Sequence, residues 1–140
     1  MKKSILLKII TLTISLVLPG IAQANEVEIV DVKAHQNKDK SWKFAVTLKH
    51  ADEGWDHYAN EWQVIAPDDK ILATRTLYHP HVDEQPFTRN TSGVKIPENM
   101  ESVRIIARDT VHGHAKMAML VNLKTNTTSP ITLELKKAQK

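Results

Sequence analysis

The residues best suited to chemistry in this sequence are its histidines. The chain has seven histidines in 140 residues, and six of them lie between His50 and His114. Four of these six form two pairs with one residue between them, His79-Pro80-His81 and His112-Gly113-His114. Residues two apart in an extended chain point to the same face, and neutral imidazole is a common ligand of copper, zinc, nickel and iron. The histidine pattern therefore predicts a transition-metal site.

Other kinds of chemistry lack the residues that they need. The chain has no cysteine, which excludes disulfides, a thiolate nucleophile, a Cys-ligated zinc or iron–sulfur site and the usual blue-copper ligand. It has four glycines and neither a Gly-rich phosphate loop nor a Gly-x-Ser-x-Gly nucleophile motif. Acids are scattered, so no carboxylate pair for glycoside chemistry can be assigned. We predict no catalytic residues, and an enzyme activity would require a metal with an open coordination position.

The first 24 residues have the pattern of a cleaved secretory signal peptide. Three lysines accompany a short apolar run, Pro19-Gly20 ends it, and Ala22-Gln23-Ala24 offers small residues for cleavage. The run is about half of the ~20 residues that span a bilayer, and an uncleaved membrane anchor is the alternative. No cysteine follows, so no lipid anchor is expected. The Lys-Lys start favours a bacterial signal, which predicts a periplasmic or secreted protein with no stable membrane anchor after cleavage.

Removal of this segment changes the charge of the chain. The formal net charge of +3 comes from the segment's three lysines, and the remainder carries 16 basic and 16 acidic side chains. A chain without net positive charge is poorly suited to bind a phosphate backbone. We therefore predict no nucleic-acid partner.

The remaining chain reads as a series of strands. Trp42, Phe44, Val46 and Leu48 alternate with other residues at a period of two, which is typical of a half-buried strand. Similar patterns predict further strands over residues 27–32, 62–66, 71–78, 87–96, 103–107, 117–123 and 131–135.

About seven such strands predict an all-β, antiparallel sandwich of the immunoglobulin or fibronectin-III type, with Trp62 buried on the third strand. A small barrel or a jelly roll is the alternative fold. We expect residues 25–135 to form a single domain and residues 136–140 to form a flexible tail.

If no strand has been missed, this strand order brings the loops at residues 50–60, 79–86 and 110–116 to the same end of the sandwich. Those loops hold six histidines, whereas His35 lies at the other end. The predicted metal ligands are His50, His57, His79, His81 and His112, with His114 less favoured.

The predicted ion is copper or zinc, and Trp55, Tyr58 and Tyr78 are candidates for the walls of the site. Met117 and Met119 on one strand face would suit copper(I), but a core stripe explains them equally. A hydrogen-bonded network that joins the loops without metal is the alternative for the histidines, with His57 and Asp109 as an orienting pair.

Several of these motifs resemble segments of a group of small exported proteobacterial proteins of unknown function. The similar segments are Trp55-Asp56-His57-Tyr58, His79-Pro80-His81, Glu84 to Arg89 and Val111-His112-Gly113, within the range from Ala51 to His114. The resemblance implies an immunoglobulin-like fold and gives weight to His57, His79, His81 and His112, but it implies no reaction. His114 stands where such proteins have glycine or an aromatic residue, which gives it less weight.

The sequence thus predicts a periplasmic β-sandwich that binds copper or zinc through loop histidines at one end and handles or senses the metal. The partners expected are the metal ion and another periplasmic protein. The alternative is a metal-free module whose end loops bind a protein or a glycan, and a metal-dependent enzyme is a third hypothesis.

Overall fold

The computed structural model describes residues 25–133, so the predicted signal peptide and C-terminal tail lie outside the described residues. The described chain forms nine strands and contains no helix. The strands are β1 (Glu28–Gln36), β2 (Trp42–Lys49), β3 (Ala59–Ile65), β4 (Ile71–Thr76), β5 (Phe87–Val94), β6 (Ser102–Asp109), β7 (Gly113–His114), β8 (Met117–Asn122) and β9 (Thr127–Thr132).

The strands form two antiparallel sheets. One has the order β1-β2-β5, and the other has the order β4-β3-β6-β8-β9, with β7 paired to β6. The fourth strand therefore lies beside the third, whereas in constant-type immunoglobulin domains it joins the sheet of the first two strands. The predicted antiparallel sandwich is confirmed, with nine strands where the sequence indicated about seven.

The core follows from the alternation along each strand. Phe44, Val46 and Leu48 of β2 point inward and are fully buried, and Trp62 of β3 is buried as predicted. These side chains form one cluster between the sheets. The buried side chains therefore fix which face of each strand points into the sandwich, and with it the register of the sheets.

The sequence analysis missed the strand β7 and placed β9 a few residues too late, at 131–135. Both strands lie in the C-terminal third of the described chain. β7 has only two residues, too few to give a periodic pattern. β9 is almost entirely exposed and contains Pro130, so it shows no alternation of buried and exposed residues. β7 lies antiparallel against the end of β6, and β8 still pairs with β6. Each loop therefore lies at the end of the sandwich that the sequence predicted, despite the extra strand.

A second, smaller apolar cluster lies outside the main core. Ile65, Ile106 and Ala118 are buried there, and Ile131 and Leu133 pack against them. Within the described residues no helix is long and apolar enough to cross a membrane.

Candidate metal centre

The inward alternation of two core strands continues into polar residues at one end of the sandwich. On β2 the buried series Phe44, Val46 and Leu48 is followed by His50, which is 2% exposed. On β6 Val103, Ile105 and Ala107 are followed by Asp109, which is 1% exposed. Because each polar residue keeps the inward parity of its strand, an imidazole and a carboxyl group lie at the end of the hydrophobic core.

Asp109 is held in place by the loop that follows β6. Its Oδ1 atom accepts the backbone N–H groups of Val111 at 2.8 Å and His112 at 2.7 Å. Burial alone would raise the pKa of Asp109, but these two N–H groups and the nearby rings of His112 and His50 outweigh burial and hold it below its usual value. Asp109 is therefore a buried anion whose orientation is fixed before any ligand arrives.

The His57 ring lies between two carboxylates. Its Nδ1 atom is 3.4 Å from Oε2 of the exposed Glu53, and its Nε2 atom is 3.5 Å from Oδ1 of Asp109. Nε2 is buried and has no hydrogen-bond partner among the described residues. The Nε2 edge of His57 therefore faces the Asp109 carboxylate, and a cation between the two atoms would be held by both.

The His50 ring is buried between two acceptors. Its Nδ1 atom is 2.5 Å from Oδ1 of Asp52, and its Nε2 atom is 3.0 Å from the carbonyl oxygen of Asn25. A carbonyl oxygen only accepts hydrogen bonds, so Nε2 donates to Asn25. The His50 ring is therefore held at both nitrogens, by the side chain of Asp52 and by the backbone of Asn25.

Asp52 joins the loops to one another. Besides His50, its carboxylate accepts the backbone N–H of Ala59 at 3.0 Å and that of His81 at 2.6 Å. Gln85 makes a second link, since its side-chain oxygen accepts the N–H of His50 at 3.0 Å and its amide donates to the carbonyl of His81 at 3.0 Å. The loops that follow β2 and β4 are therefore fixed relative to each other by buried hydrogen bonds.

Three side chains have the proximity that a metal centre requires. His50, His57 and Asp109 each offer one ligand atom, and these atoms lie within 4.8 Å of one another. The ligand atoms of a tetrahedral zinc ion lie roughly 3.3 Å apart, so a small movement would suffice. His112 is the neighbouring fourth group, with Nδ1 3.2 Å from Oδ1 of Asp109 and its ring centroid 5.0 Å from that of His57.

His79 and His81 form a separate pair. Their ring centroids are 4.5 Å apart, and His81 also stacks on Phe87 at 3.8 Å. The closest link to the other histidines is Asp52, whose Oδ2 atom is 3.9 Å from Nδ1 of His81. Burial lowers the pKa of His81, and the positive charges of Arg89 and His79 lower it further.

The remaining sequence candidates do not belong to the His50–His57–Asp109 group. His114 lies on β7 opposite Arg108, and His35 lies on β1 opposite Lys43; both are exposed. Met119 belongs to the core. Met117 is exposed, and its sulfur accepts a hydrogen bond from the hydroxyl group of Thr132 at 3.6 Å.

The aromatic candidates do not enclose the site as the sequence analysis expected. Trp55 and Tyr78 are 69% and 76% exposed, and the Trp55 ring packs edge-on against Tyr58 at 5.9 Å. They therefore form part of the outer surface of the loops.

The sequence reasoning counted Asp52 and Asp109 among the loop carboxylates that could serve a metal site, but it gave Asp52 no specific partner and did not consider Gln85 or Asn25. The position of Asp109, two residues beyond Ala107, continues the buried alternation of β6. That parity is a signal that the sequence does contain. No comparable signal exists for Asp52, whose partners include the backbone of His81, 29 residues further along the chain.

Part of the chain is similar to a known protein. A stretch of 106 residues is 34% identical to a protein of Halomicrobium mukohataei described as "Putative lipoprotein". The stretch makes up 76% of this chain and 52% of the relative, so the chain spans about half the relative's length. No family model matches the chain. No solved structure matches it either.

Proposed function

We propose that this protein binds a transition-metal cation, copper or zinc, outside the cytoplasm, with His50, His57 and Asp109 as ligands and His112 as the fourth. The observation that carries this proposal is the close approach of three buried or half-buried ligand atoms, within 4.8 Å of one another. Imidazole and carboxylate together suit either ion.

The surroundings of the two imidazoles support the proposal. Histidines that bind metals usually donate their second ring N–H to a carboxylate or a carbonyl group, which fixes the ring and its tautomer. His50 has Asp52 at Nδ1, and His57 has Glu53 at Nδ1. In both rings Nε2 is then the nitrogen for the metal.

Nε2 of His50 lies 3.0 Å from the carbonyl oxygen of Asn25. Metal binding through Nε2 would replace this hydrogen bond. Affinity is therefore expected to weaken as the pH falls through ~6.5, because protons compete for imidazole.

The location is proposed on two grounds. The first 24 residues have the pattern of a secretory signal, and the related protein carries the word lipoprotein in its description. A role in handling or sensing metal in the periplasm or in the secreted state follows from these two grounds and the histidine site. Fractionation of cells, with detection of the processed chain, would test the location.

The metal proposal is tested by calorimetric titration of Zn²⁺ and Cu²⁺ into chelator-treated protein purified without a histidine tag. We expect His57→Ala to weaken binding at the centre by at least about 100-fold, since a ligand should cost no less than an outer partner. His35→Ala is the matched control, because His35 is exposed on β1. Equal affinities in the wild type and in His57→Ala would refute the centre.

A metal-free interaction module is the second candidate, and exposed apolar side chains favour it. Trp55, Tyr78, Val82 and Val111 all lie on the histidine-bearing loops and are more than half exposed. Exposed apolar residues grouped in this way often mark binding surfaces. A protein or glycan partner bound by chelator-treated protein, and lost in Trp55→Ala but not in His57→Ala, would support this candidate over the first.

A further inference from the structure

His79 and His81 lie outside the His50–His57–Asp109 centre but have features of metal ligands themselves. They border a shallow depression of about 560 Å³ on the loop surface. The depression is lined by Gly54, Trp55, Pro80, Val82, Asp83 and Glu84 in addition to the two histidines.

The tautomer of His79 is fixed by its own loop. Its Nδ1 atom lies 3.0 Å from the carbonyl oxygen of Pro80. Because that oxygen can only accept, Nδ1 donates to it, and Nε2 is the ring nitrogen left for an ion. This is the arrangement in which a carbonyl group orients a metal-binding histidine. His79 is exposed, so Nε2 can turn toward an incoming ion.

His81 supplies the second, independent observation. Its side chain is only 2% exposed, yet neither ring nitrogen has a hydrogen-bond partner among the described residues. A buried polar group without a partner costs free energy, and in native proteins such a group usually serves a ligand or a water. The exposed His79 ring lies against the His81 ring, so rotation of His79 would give an ion access to both.

One of the two carboxylates in the depression is available. Glu84 is engaged by Arg89, which donates to its two carboxylate oxygens at 2.9 and 3.3 Å. Asp83 is therefore the better candidate for a third ligand. Two imidazoles, one carboxylate and water make a nitrogen–oxygen donor set of the kind that Cu²⁺ accepts in tetragonal geometry.

We propose that His79, His81 and Asp83 form a second, solvent-facing site for a divalent transition cation, Cu²⁺ in particular, separate from the His50–His57–Asp109 centre. The two sites share the same kind of chemistry but no ligand, so either can exist without the other. The partly open position at the surface suits an ion that exchanges with the medium or with a donor protein.

The test is the stoichiometry of Cu²⁺ bound by the untagged, chelator-treated chain and by single-residue variants. The wild type should bind two equivalents. His79→Ala should bind one, and the remaining ion should be lost in the double variant His57→Ala with His79→Ala. His57→Ala alone should keep the surface ion, with an electron paramagnetic resonance spectrum that shows nitrogen ligands.

His79→Ala is preferred over His81→Ala because His79 is exposed, whereas loss of the His81 stack on Phe87 could unfold the loop. His114→Ala removes another exposed histidine and should leave two equivalents. Two equivalents in His79→Ala would overturn the second site, and so would loss of both ions in that variant. A wild type that binds one ion, lost in His57→Ala but not in His79→Ala, would refute the second site and leave the proposed centre standing.

Discussion

Single residues at the end of the core show how strongly burial constrains chemistry here. His50 and Asp52 are both buried, and Nδ1 of His50 lies 2.5 Å from Oδ1 of Asp52. A buried polar group whose partner is removed is left without a hydrogen bond, and it cannot recover one from water.

We therefore expect Asp52→Ala to lower the free energy of unfolding by about 3–5 kcal/mol, since each buried donor left without an acceptor costs about 1–3 kcal/mol. The substitution removes the acceptor for Nδ1 of His50 and for the N–H groups of Ala59 and His81. Urea denaturation of chelator-treated protein measures the effect. Glu84→Ala is the control, since it breaks only the exposed pair with Arg89 and should cost less than about 1 kcal/mol. A cost for Asp52→Ala as small as that of the control would contradict the role assigned to this carboxylate.

His81 gives a second prediction at the same scale. Burial holds the pKa of His81 below the 6.5 of a free imidazole. As the pH falls through 6.5, the unfolded chain takes up a proton that the folded chain does not bind, so the stability of the fold decreases. The decrease continues until the pH reaches the lower pKa of the folded state.

This linkage is measured as the free energy of unfolding between pH 7 and pH 5 in the presence of a chelator. His81→Gln should show a smaller loss of stability over this interval than the wild type, and His35→Gln should behave like the wild type. Equal slopes in the wild type and in His81→Gln would contradict the prediction.

At the scale of the strands, the alternation of buried residues determines both the sandwich and the position of the site. Ile105 on β6 is fully buried, whereas Ile71 on the edge strand β4 is 53% exposed. The same side chain thus has very different surroundings in two strands of one sheet. This difference allows a matched comparison of what the core contributes.

Ile105→Ala should destabilise the fold by about 2–5 kcal/mol, because it removes buried methyl groups and leaves a cavity. Ile71→Ala should change stability by less than about 1 kcal/mol, since much of that side chain already contacts solvent. Thermal and urea unfolding of the two variants give the comparison. Similar costs at both positions would mean that the layers of the sandwich are assigned wrongly.

The strands were largely predictable from the sequence, and the site only in part. A strand such as β2 shows its buried face as a regular apolar pattern, whereas β7 is too short and β9 too polar to show one. The alternation of buried residues along β2 and β6 also predicts that His50 and Asp109 point inward. The orientation of loop side chains depends on contacts between distant segments, such as those of Asp52, and a sequence pattern carries no record of them.

For the molecule as a whole, the histidine end is tied together by hydrogen bonds between segments far apart in the chain. One of these segments is the beginning of the described chain. Asn25 exchanges hydrogen bonds with Ala51 through its side-chain amide, and its carbonyl oxygen accepts from His50. Glu26 accepts the N–H of Lys116, and Val27 is buried in the core.

Asn25 would connect the predicted processing of the chain to the proposed centre. A peptidase that cuts after Ala24 would leave Asn25 as the first residue, with its carbonyl oxygen still bonded to His50. A cut one bond further along would remove that carbonyl group and the side-chain amide that bonds to Ala51. The site of cleavage would then decide whether the exported chain keeps the group that positions the His50 ring.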